Sequence, residues 1–340
     1  MRTLSRRELN RALLARQLLL ERTRPGIPRA LERMGGLQAQ YAPSMYIGLW
    51  SRVEGFRRDD LTRALERRSV VQGTLMRMTI HLVSARDYWP IAVGVRRVRR
   101  EAWLKGPRGR NVSGAARRLR KRLADGPLGQ REVDEVLGGD PAVRNGVGLF
   151  VDLVRVPPSG TWERRRADIY AAAEQWLGPS EVTPEEGVEL LVRRYLGGFG
   201  PAPPADIANW AGLPISDVTP VLERLRLRRF RSETGGELVD LPRAPLPDPE
   251  TPAPVRFLPT WDATLLAHAR RTGILPEEYR PRIFSTKTPH SMETFLVDGA
   301  VAGTWKYERG RVVLKPFERL DAATTRELRE EADRLAEFHA

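Results

Sequence analysis

One pattern of local signals recurs along this chain and restricts its architecture more than any other feature: short helices followed by a pair of strands. In the first occurrence, Ser5-Arg6-Arg7-Glu8 has the spacing of a capping box at a helix start. Pro28 is expected to open a second helix that ends at Gly35-Gly36, and Asp59 or Asp60 caps a third. The expected strands cover residues 46–53 and 78–83. Helices followed by a strand pair are typical of a winged helix.

The same order returns after a strongly basic stretch. A short helix is predicted from Gly129 to Gly138-Gly139, and apolar residues at helical spacing follow across residues 143–154. Pro157-Pro158-Ser159-Gly160 is expected to turn the chain toward a strand at Ile169-Tyr170. This segment therefore predicts a second winged helix.

The third occurrence has the clearest signals. Thr183-Pro184-Glu185-Glu186 combines an N-cap, a proline at the first helical position and an acid at the third. A short helix at residues 204–212 and a helix capped by Ser216 follow, and Thr234-Gly235-Gly236 separates the two strands of a hairpin. The sequence therefore predicts a tandem array of three such modules.

The last part of the chain has a different composition. Residues 241–255 contain six prolines, which is typical of an extended connector. Strand signals on both sides of Asp298-Gly299 then predict a small antiparallel sheet, and a leucine stripe predicts a final helix from about Thr324. We therefore predict an α+β protein. The expected division is three tandem winged-helix modules at residues 1–104, 105–180 and 181–247, followed by a β domain with a C-terminal helix at residues 248–340.

The charge of the chain favours a polyanionic partner. Its net charge is +14, and 52 of its 57 basic residues are arginines, which bind phosphate in a bidentate way that lysine cannot. Residues 96–131 alone hold 13 lysines and arginines against two acids. An excess focused on one segment indicates a surface for nucleic acid. The alternative is a solvated linker face.

Composition also narrows the expected cofactors and location. The chain has no cysteine, and its four histidines lack metal-ligand spacing, so we expect no metal and no cofactor. No apolar run is long enough to cross a membrane, and the N-terminus lacks the pattern of a secretion signal. We therefore predict a cytoplasmic protein without a membrane partner.

Two glutamines follow the glycines that end the second helix, in Gly35-Gly36-Leu37-Gln38-Ala39-Gln40. If this segment is extended, Gln38 and Gln40 project to the same side, because side chains repeat every two residues. Each amide has an acceptor oxygen and two donor hydrogens, so the pair can bind a water. We predict that it holds this water against a sugar carbon of DNA. The alternative is a surface loop with two solvated glutamines.

Four motifs in this order carry a resemblance that spans essentially the whole chain. The glutamine motif is followed by Leu49-Trp50-Ser51-Arg52-Val53, Thr79-Ile80-His81-Leu82-Val83 and Phe257-Leu258-Pro259-Thr260-Trp261-Asp262. With them, the chain resembles the tandem winged-helix DNA glycosylases of the AlkZ-like family. The resemblance implies three winged-helix modules, a C-terminal β domain and excision of alkylated bases, including bulky adducts and interstrand crosslinks. It also implies that Gln38 and Gln40 are the catalytic pair; a branch of the family has Asp at the second position, and this chain does not.

The chemistry of the reaction agrees with that implication. Cleavage of an N-glycosidic bond passes through an oxocarbenium-like sugar. A purine alkylated at N7 or N3 already carries positive charge and leaves as a neutral base, so a general acid is unnecessary. Two amide oxygens can position a water and stabilise the developing sugar cation. We therefore expect a monofunctional DNA glycosylase that acts as a monomer on double-stranded DNA carrying alkylated purines.

Further residues are expected at the DNA interface. The predicted DNA contacts are Arg52, Arg77, His81, Arg117, Arg118, Lys121 and Lys287. For His81, the alternative is a hydrogen-bonded histidine in the core. Lys287 belongs to a segment, residues 284–292, for which we expect either a loop that probes a DNA groove or a structural turn.

Two other functions fit parts of the sequence. A non-catalytic winged-helix regulator would bind DNA without excision, but such proteins usually dimerise on paired half-sites. A different hydrolase would use an acidic pair, either Asp59-Asp60 or Glu185-Glu186. Both pairs lie at predicted helix starts, where acids are expected because of the helix dipole. Formation of abasic sites in alkylated DNA separates the glycosylase from the regulator.

Overall fold

The structure is a computed structural model that describes residues 1–107, 109–269, 273–284 and 291–340. Over most of this length, the helices and strands follow the order that the sequence predicts. Lys287 and most of the segment predicted to probe a DNA groove lie outside the described residues.

The bounds of the elements, within the described ranges, are as follows. The α-helices are α1 (Arg6–Arg16), α2 (Ile27–Met34), α3 (Ala42–Trp50), α4 (Arg58–Glu66), α5 (Ala85–Lys105), α6 (Ser113–Leu123), α7 (Gln130–Val136), α8 (Pro141–Val147), α9 (Ala173–Leu177), α10 (Pro184–Phe199), α11 (Pro204–Ala211), α12 (Ile215–Arg224), α13 (Arg280–Ile283) and α14 (Ala322–His339). The strands are β1 (Thr3–Leu4), β2 (Leu37–Gln38), β3 (Val70–Thr74), β4 (Ile80–Ser84), β5 (Leu128–Gly129), β6 (Leu153–Arg155), β7 (Ile169–Ala172), β8 (Arg228–Ser232), β9 (Glu237–Asp240), β10 (Arg256–Leu258), β11 (Thr294–Val297), β12 (Ala300–Glu308) and β13 (Arg311–Pro316).

The strands of the described residues form three sheets. One sheet has six strands in the order β2, β4, β3, β6, β7 and β5, so strands from the first and second predicted modules share it. They meet in β3, where Gly73 pairs with His81 of β4 on one side and with Val154 of β6 on the other. The β8–β9 hairpin carries β1 as a parallel edge strand, and β10 to β13 form an antiparallel sheet.

Several helix ends that the sequence predicts are confirmed, because local chemistry determines them. Ser5 accepts a hydrogen bond from the backbone of Glu8, whose carboxylate accepts one from the Ser5 amide at 2.8 Å. Thr183 and Glu186 form the same reciprocal cap at the start of α10. Gly212 ends α11 with a φ of +72°, which glycine adopts without strain.

The long helices α5 and α10 lie at the centre of the largest hydrophobic core. They cross where Gly94 meets Gly187, and a Cβ atom on Gly94 would lie only 2.8 Å from the carbonyl carbon of Gly187. The absence of both side chains therefore lets the two helix backbones touch. A second core joins α3 and α4 to the C-terminal sheet and α14, through residues that include Tyr46, Phe257 and Leu335.

The strand predicted at residues 46–53 is wrong, because most of these residues belong to α3. Pro43 lies in the first turn of this helix, and every residue from Ala42 to Leu49 is buried. A short segment that is apolar on all sides has neither the alternation of a half-buried strand nor the stripe of a surface helix. Its conformation is therefore set by the surrounding core.

The helical face predicted across residues 143–154 is too long. Helix α8 ends at Val147, and Val154 is buried in β6. The apolar residues of the buried strand β6 continue the helical spacing of those in α8. The sequence pattern therefore does not show where the helix ends. The basic stretch at residues 96–131, for which a linker was the alternative, contains the end of α5 and all of α6.

The small antiparallel sheet and the C-terminal helix that the sequence predicts are present. The chain turns between β11 and β12 at Asp298 and Gly299, which have φ angles of +45° and +80°. Asp321 caps α14 by accepting a hydrogen bond from the Thr324 amide at 2.9 Å, and this helix packs against β13. In the part of the chain that the structure describes, no helix is long and apolar enough to cross a membrane.

Candidate active site

Two glycines fix the backbone of the glutamine motif. Helix α2 ends at Met34, and Gly35 and Gly36 both have positive φ angles, +78° and +83°. The Gly36 amide donates to the Leu31 carbonyl at 2.8 Å, which completes the helix end. A Cβ atom on Gly36 would lie 3.0 Å from a methyl group of Val83. The turn into β2 therefore requires glycine at this position both for its φ angle and for lack of space.

Burial alternates along the segment that follows. Leu37 and Ala39 are buried, with 4% and 2% exposure, whereas Gln38 is half-buried and Gln40 is exposed. The Ala39 amide donates to the Ile80 carbonyl of β4 at 2.7 Å. The two apolar side chains and this hydrogen bond anchor the segment to the core, and the two amide side chains occupy the alternate, more accessible positions.

His81 lies opposite Gln38 in the β2–β4 pair. Its ring has only 3% exposure, and its Nδ1 lies 3.0 Å from the Thr79 carbonyl, to which it donates as a neutral imidazole. Burial, followed by the charge of Arg77, lowers the pKa of His81 to about 3. The ring is therefore neutral at pH 7 and inaccessible. These observations favour the hydrogen-bonded core histidine over the predicted DNA contact.

Arg77 lies in the turn between β3 and β4. Arg77 and Met78 have φ angles of +50° and +63°, which are strained for residues other than glycine. The half-buried Arg77 guanidinium donates to the Trp210 carbonyl of α11, and burial lowers its pKa. Its main contact thus joins this turn to the third predicted module. The DNA contact of Arg77 stays a prediction.

Arg52 is inaccessible, so the DNA contact predicted for it is wrong. Its side chain has no exposed surface and donates at 2.8 Å to Asp262, which is equally buried. It also donates to the carbonyls of Gln17 and Gly48 and to the hydroxyl of Thr264, each at 3.0 Å. The DNA contact was predicted from the positive charge of Arg52. The sequence does not show that its carboxylate partner lies 210 residues further along the chain.

Arg117, Arg118 and Lys121, called the α6 cations below, lie on the exposed face of α6. Their neighbours Arg110 and Arg122 form ion pairs with acids. By contrast, none of the α6 cations has a carboxylate within ion-pair distance among the residues that the structure describes. They are therefore available to a phosphate backbone, and their contact with DNA stays a prediction.

Sequence reasoning did not single out two exposed side chains, one directly after the glutamine pair and one at the turn between β3 and β4. Tyr41 directly follows Gln40, is 39% exposed, and accepts a hydrogen bond at 3.3 Å from Arg165 of the β6–β7 connection. Met78 is 44% exposed at the neighbouring turn. The position of Tyr41 next to the motif was the one signal for it in the sequence.

One acid of each pair that a different hydrolase would use serves as a helix cap. Asp60 accepts from the Arg57 amide at 2.9 Å and pairs with Arg63. Glu186 accepts from Thr183, and these hydrogen bonds lower the pKa of the glutamate. Within the described ranges, no group of three His, Cys, Asp or Glu side chains is placed to hold a metal ion.

Comparisons with known proteins agree with this fold. The structure resembles that of Streptomyces sahachiroi DNA glycosylase AlkZ with a TM-score of 0.82, at 20% sequence identity over 98% of this chain and 97% of that chain. This likeness confirms the α+β fold class, while the number of winged helices stays a prediction. No curated protein matches the chain. The family model described as DNA glycosylase AlkZ-like matches residues 31–338. Since that match covers most of the chain, including the glutamine motif, the protein belongs to the AlkZ-like DNA glycosylase family.

Proposed function

We propose that this DNA glycosylase is monofunctional, that it releases purines made cationic by alkylation at N7 or N3, and that Gln38 and Gln40 are its catalytic residues. The carrying observation is the alternation along β2 and the two residues that follow it, which buries Leu37 and Ala39 and leaves the two amides on more accessible positions. Bulky adducts and interstrand crosslinks at the same purine atoms belong to the proposed substrate class. Family membership favours this function over a non-catalytic winged-helix regulator.

In the proposed reaction, the protein positions a water and supplies the partial negative charge of two carbonyl oxygens. As the glycosidic bond breaks, its electron pair leaves with the cationic purine, which becomes neutral. Positive charge then develops on the sugar, where the carbonyl oxygens of Gln38 and Gln40 would lower its energy. The same oxygens accept hydrogen bonds from a water that adds to the sugar carbon and loses a proton to solvent. An undamaged base lacks the positive charge, so it would leave too slowly to be excised.

Double-stranded DNA is the proposed partner, and the distribution of charge supports it. The net charge of +14 is large, and the α6 cations are exposed without acidic partners among the described residues. We further propose that the division into three winged-helix modules and a β domain holds. A single chain would then contact DNA through all its modules as a monomer, on DNA in the cytoplasm.

A duplex containing a single 7-methylguanine tests the proposal. The double variant Gln38→Ala with Gln40→Ala should release 7-methylguanine no faster than uncatalysed hydrolysis, because no dipole then holds the water or opposes the sugar charge. Its affinity for DNA should stay within about twofold of the wild type, since neither amide carries charge. Gln175→Ala, at an exposed glutamine of α9, is the matched control and should retain full activity.

The product distinguishes the proposed class of enzyme. A monofunctional glycosylase leaves an abasic site, so the strand should stay intact until alkali is added. Direct cleavage of the strand would contradict the monofunctional assignment. Undiminished excision by the double glutamine variant would reject the two catalytic residues while leaving the family assignment in place.

A further inference from the structure

A cavity of about 430 Å³ lies beside β3, between α5 and the strands of the second predicted module. The wall residues that matter for its chemistry are Thr74, Tyr88, Arg99, Asn145, Asp152 and Arg155. Neither the glutamine pair nor the α6 cations line it. The cavity is therefore separate from the residues to which the proposed function assigns catalysis and DNA binding.

Two wall arginines have no carboxylate partner among the residues that the structure describes. Arg99 donates to the Thr74 carbonyl at 2.8 Å and directs its Nε toward the Met78 sulfur at 3.0 Å. Arg155 donates to the Thr74 hydroxyl at 3.1 Å, and its Nε is buried without a hydrogen-bond partner. Both guanidinium groups thus converge on Thr74 and are held by neutral acceptors.

The acid in the cavity wall balances these charges only in part, although its own charge raises the pKa of Arg99. Asp152 is the only acidic residue among the described wall residues, and Arg96 already pairs with it at 2.9 Å. Burial lowers the pKa of Arg99 to about 10 and also lowers that of Arg155, and Arg99 remains cationic at pH 7. Removing cations from water without a counterion is costly. An anion that enters the cavity would remove this cost.

We propose that the cavity is a phosphate-binding site and that it holds a backbone phosphate of the damaged DNA. Two guanidinium groups match the charge and the donor geometry that a phosphate requires. Tyr88 and Asn145, whose side chains carry neutral hydrogen-bonding groups, also line the cavity. This assignment of DNA as the source of the phosphate rests on the proposed function.

The position of the cavity fits a phosphate near the reacting nucleotide. Thr74 lies opposite Ile80 in the β3–β4 pair, and the Ile80 carbonyl holds Ala39 between the two glutamines. Adjacent strands are about 4.8 Å apart, so two strand spacings separate the backbone at Ala39 from the backbone at Thr74 by about 10 Å. The side chains of Thr74 and Ile80 share one face of the sheet, and the Gln38 side chain is on the other face. A phosphate close to the lesion in the same strand falls within that range. Binding it would fix the register of the strand against the glutamine pair.

The first experiment tests phosphate binding on the full-length protein without DNA. Inorganic phosphate should raise the melting temperature of the wild type by about 2 °C more than sodium chloride of equal ionic strength. Arg155→Gln and Arg99→Gln should each lose this difference, and either variant alone suffices if the other fails to fold. Arg329→Gln, at an exposed arginine of α14, is the matched control and should keep it.

The second experiment tests DNA as the source of the phosphate. For duplex DNA, the slope of log K against log salt should be less steep by about 0.9 in Arg155→Gln, which corresponds to one phosphate contact. The slope of Arg329→Gln should equal that of the wild type. Because the glutamine pair does not line the cavity, the Gln38→Ala and Gln40→Ala double variant should keep the phosphate response.

The outcomes separate this inference from the proposed catalysis. A wild type that responds equally to phosphate and chloride overturns the site, as does an undiminished response in both arginine variants. A phosphate response lost in the variants, together with an unchanged DNA slope, overturns DNA as the source and identifies a free anion. Excision that survives loss of the glutamine pair rejects the catalytic assignment and leaves the phosphate site standing.

Discussion

The buried pair of Arg52 and Asp262 provides a sharp test of how the chain is held together. Both side chains have no exposed surface and lie 2.8 Å apart. Arg52 belongs to the segment that follows α3, Asp262 follows β10, and the Gln17 carbonyl that also accepts from Arg52 follows α1. One guanidinium group therefore joins the first predicted module to the predicted C-terminal β domain.

The expected cost of removing this group follows from its contacts. Arg52→Met keeps much of the side-chain volume but leaves Asp262 as a buried carboxylate whose remaining donors come from Thr264. Removing one partner of a buried ion pair costs about 3–5 kcal/mol, and each backbone carbonyl that loses its hydrogen-bond donor adds to this cost. We therefore expect the free energy of unfolding to fall by at least about 3 kcal/mol. Adding Asp262→Asn should restore about 2 kcal/mol, because the uncompensated charge is then gone.

Urea unfolding followed by circular dichroism measures both effects, and DNA affinity is measured on the same variants under native conditions. Arg24→Met is the control, because Arg24 pairs with Glu54 at the surface with 76% and 52% of the side chains exposed. Its loss should cost under about 0.5 kcal/mol. The reasoning is refuted if Arg52→Met unfolds at the same urea concentration as the wild type but binds DNA more weakly. Arg52 would then contact DNA, and its pair with Asp262 would not hold the first predicted module against the predicted β domain.

Three further predictions concern the site and its surroundings. Gly36→Ala should lower the free energy of unfolding by about 1–3 kcal/mol and reduce 7-methylguanine release, because its φ is +83° and the methyl group lacks space. Gly55→Ala, with a positive φ of +67° in open space, is the control and should retain excision. Changing all three α6 cations to glutamine should make the slope of log K against log salt less steep by about 2.7 in DNA titrations, and an unchanged slope would place the DNA elsewhere. Below pH 6.5 the unfolded chain protonates His81, whereas the folded chain keeps it neutral down to its pKa of about 3. The unfolded state then binds more protons, so His81 should lower stability by up to about 1.4 kcal/mol per unit of falling pH. His81→Gln should flatten this dependence in urea unfolding between pH 6.5 and pH 3.5; an identical pH profile would contradict the burial of the ring.

Much of the secondary structure is predictable from sequence because its determinants are local. The cap at Thr183, the helix end at Gly212 and the hairpin across Thr234-Gly235-Gly236 each depend on residues within a few positions. The turn into the glutamine motif is equally local, since Gly35 supplies the left-handed helix end. Four motifs in order then suffice to identify the family.

What sequence reasoning could not predict depends on contacts between distant parts of the chain. Helix α3 lacks a polar face because the C-terminal domain covers it, so no periodicity marks it as a helix. The pairing of Gly73 with Val154 joins two predicted modules into one sheet, and no turn signal specifies it. The charge of Arg52 predicts a surface residue until its distant partner Asp262 is known.

The surroundings of the glutamine pair give a physical reason for neutral side chains in the proposed mechanism. His81 beside Gln38 is neutral, and the charge of Arg77 reaches it, because that charge helps to lower its pKa. A carboxylate at position 38, opposite His81, would lie in the field of the same cation, which would weaken the negative field that the sugar cation requires. An amide carries no net charge, so its oxygen stays free to face water and sugar. The acceleration available from two dipoles is smaller than from a carboxylate with a general acid, so excision in this mechanism depends on the charge that alkylation has already placed on the purine.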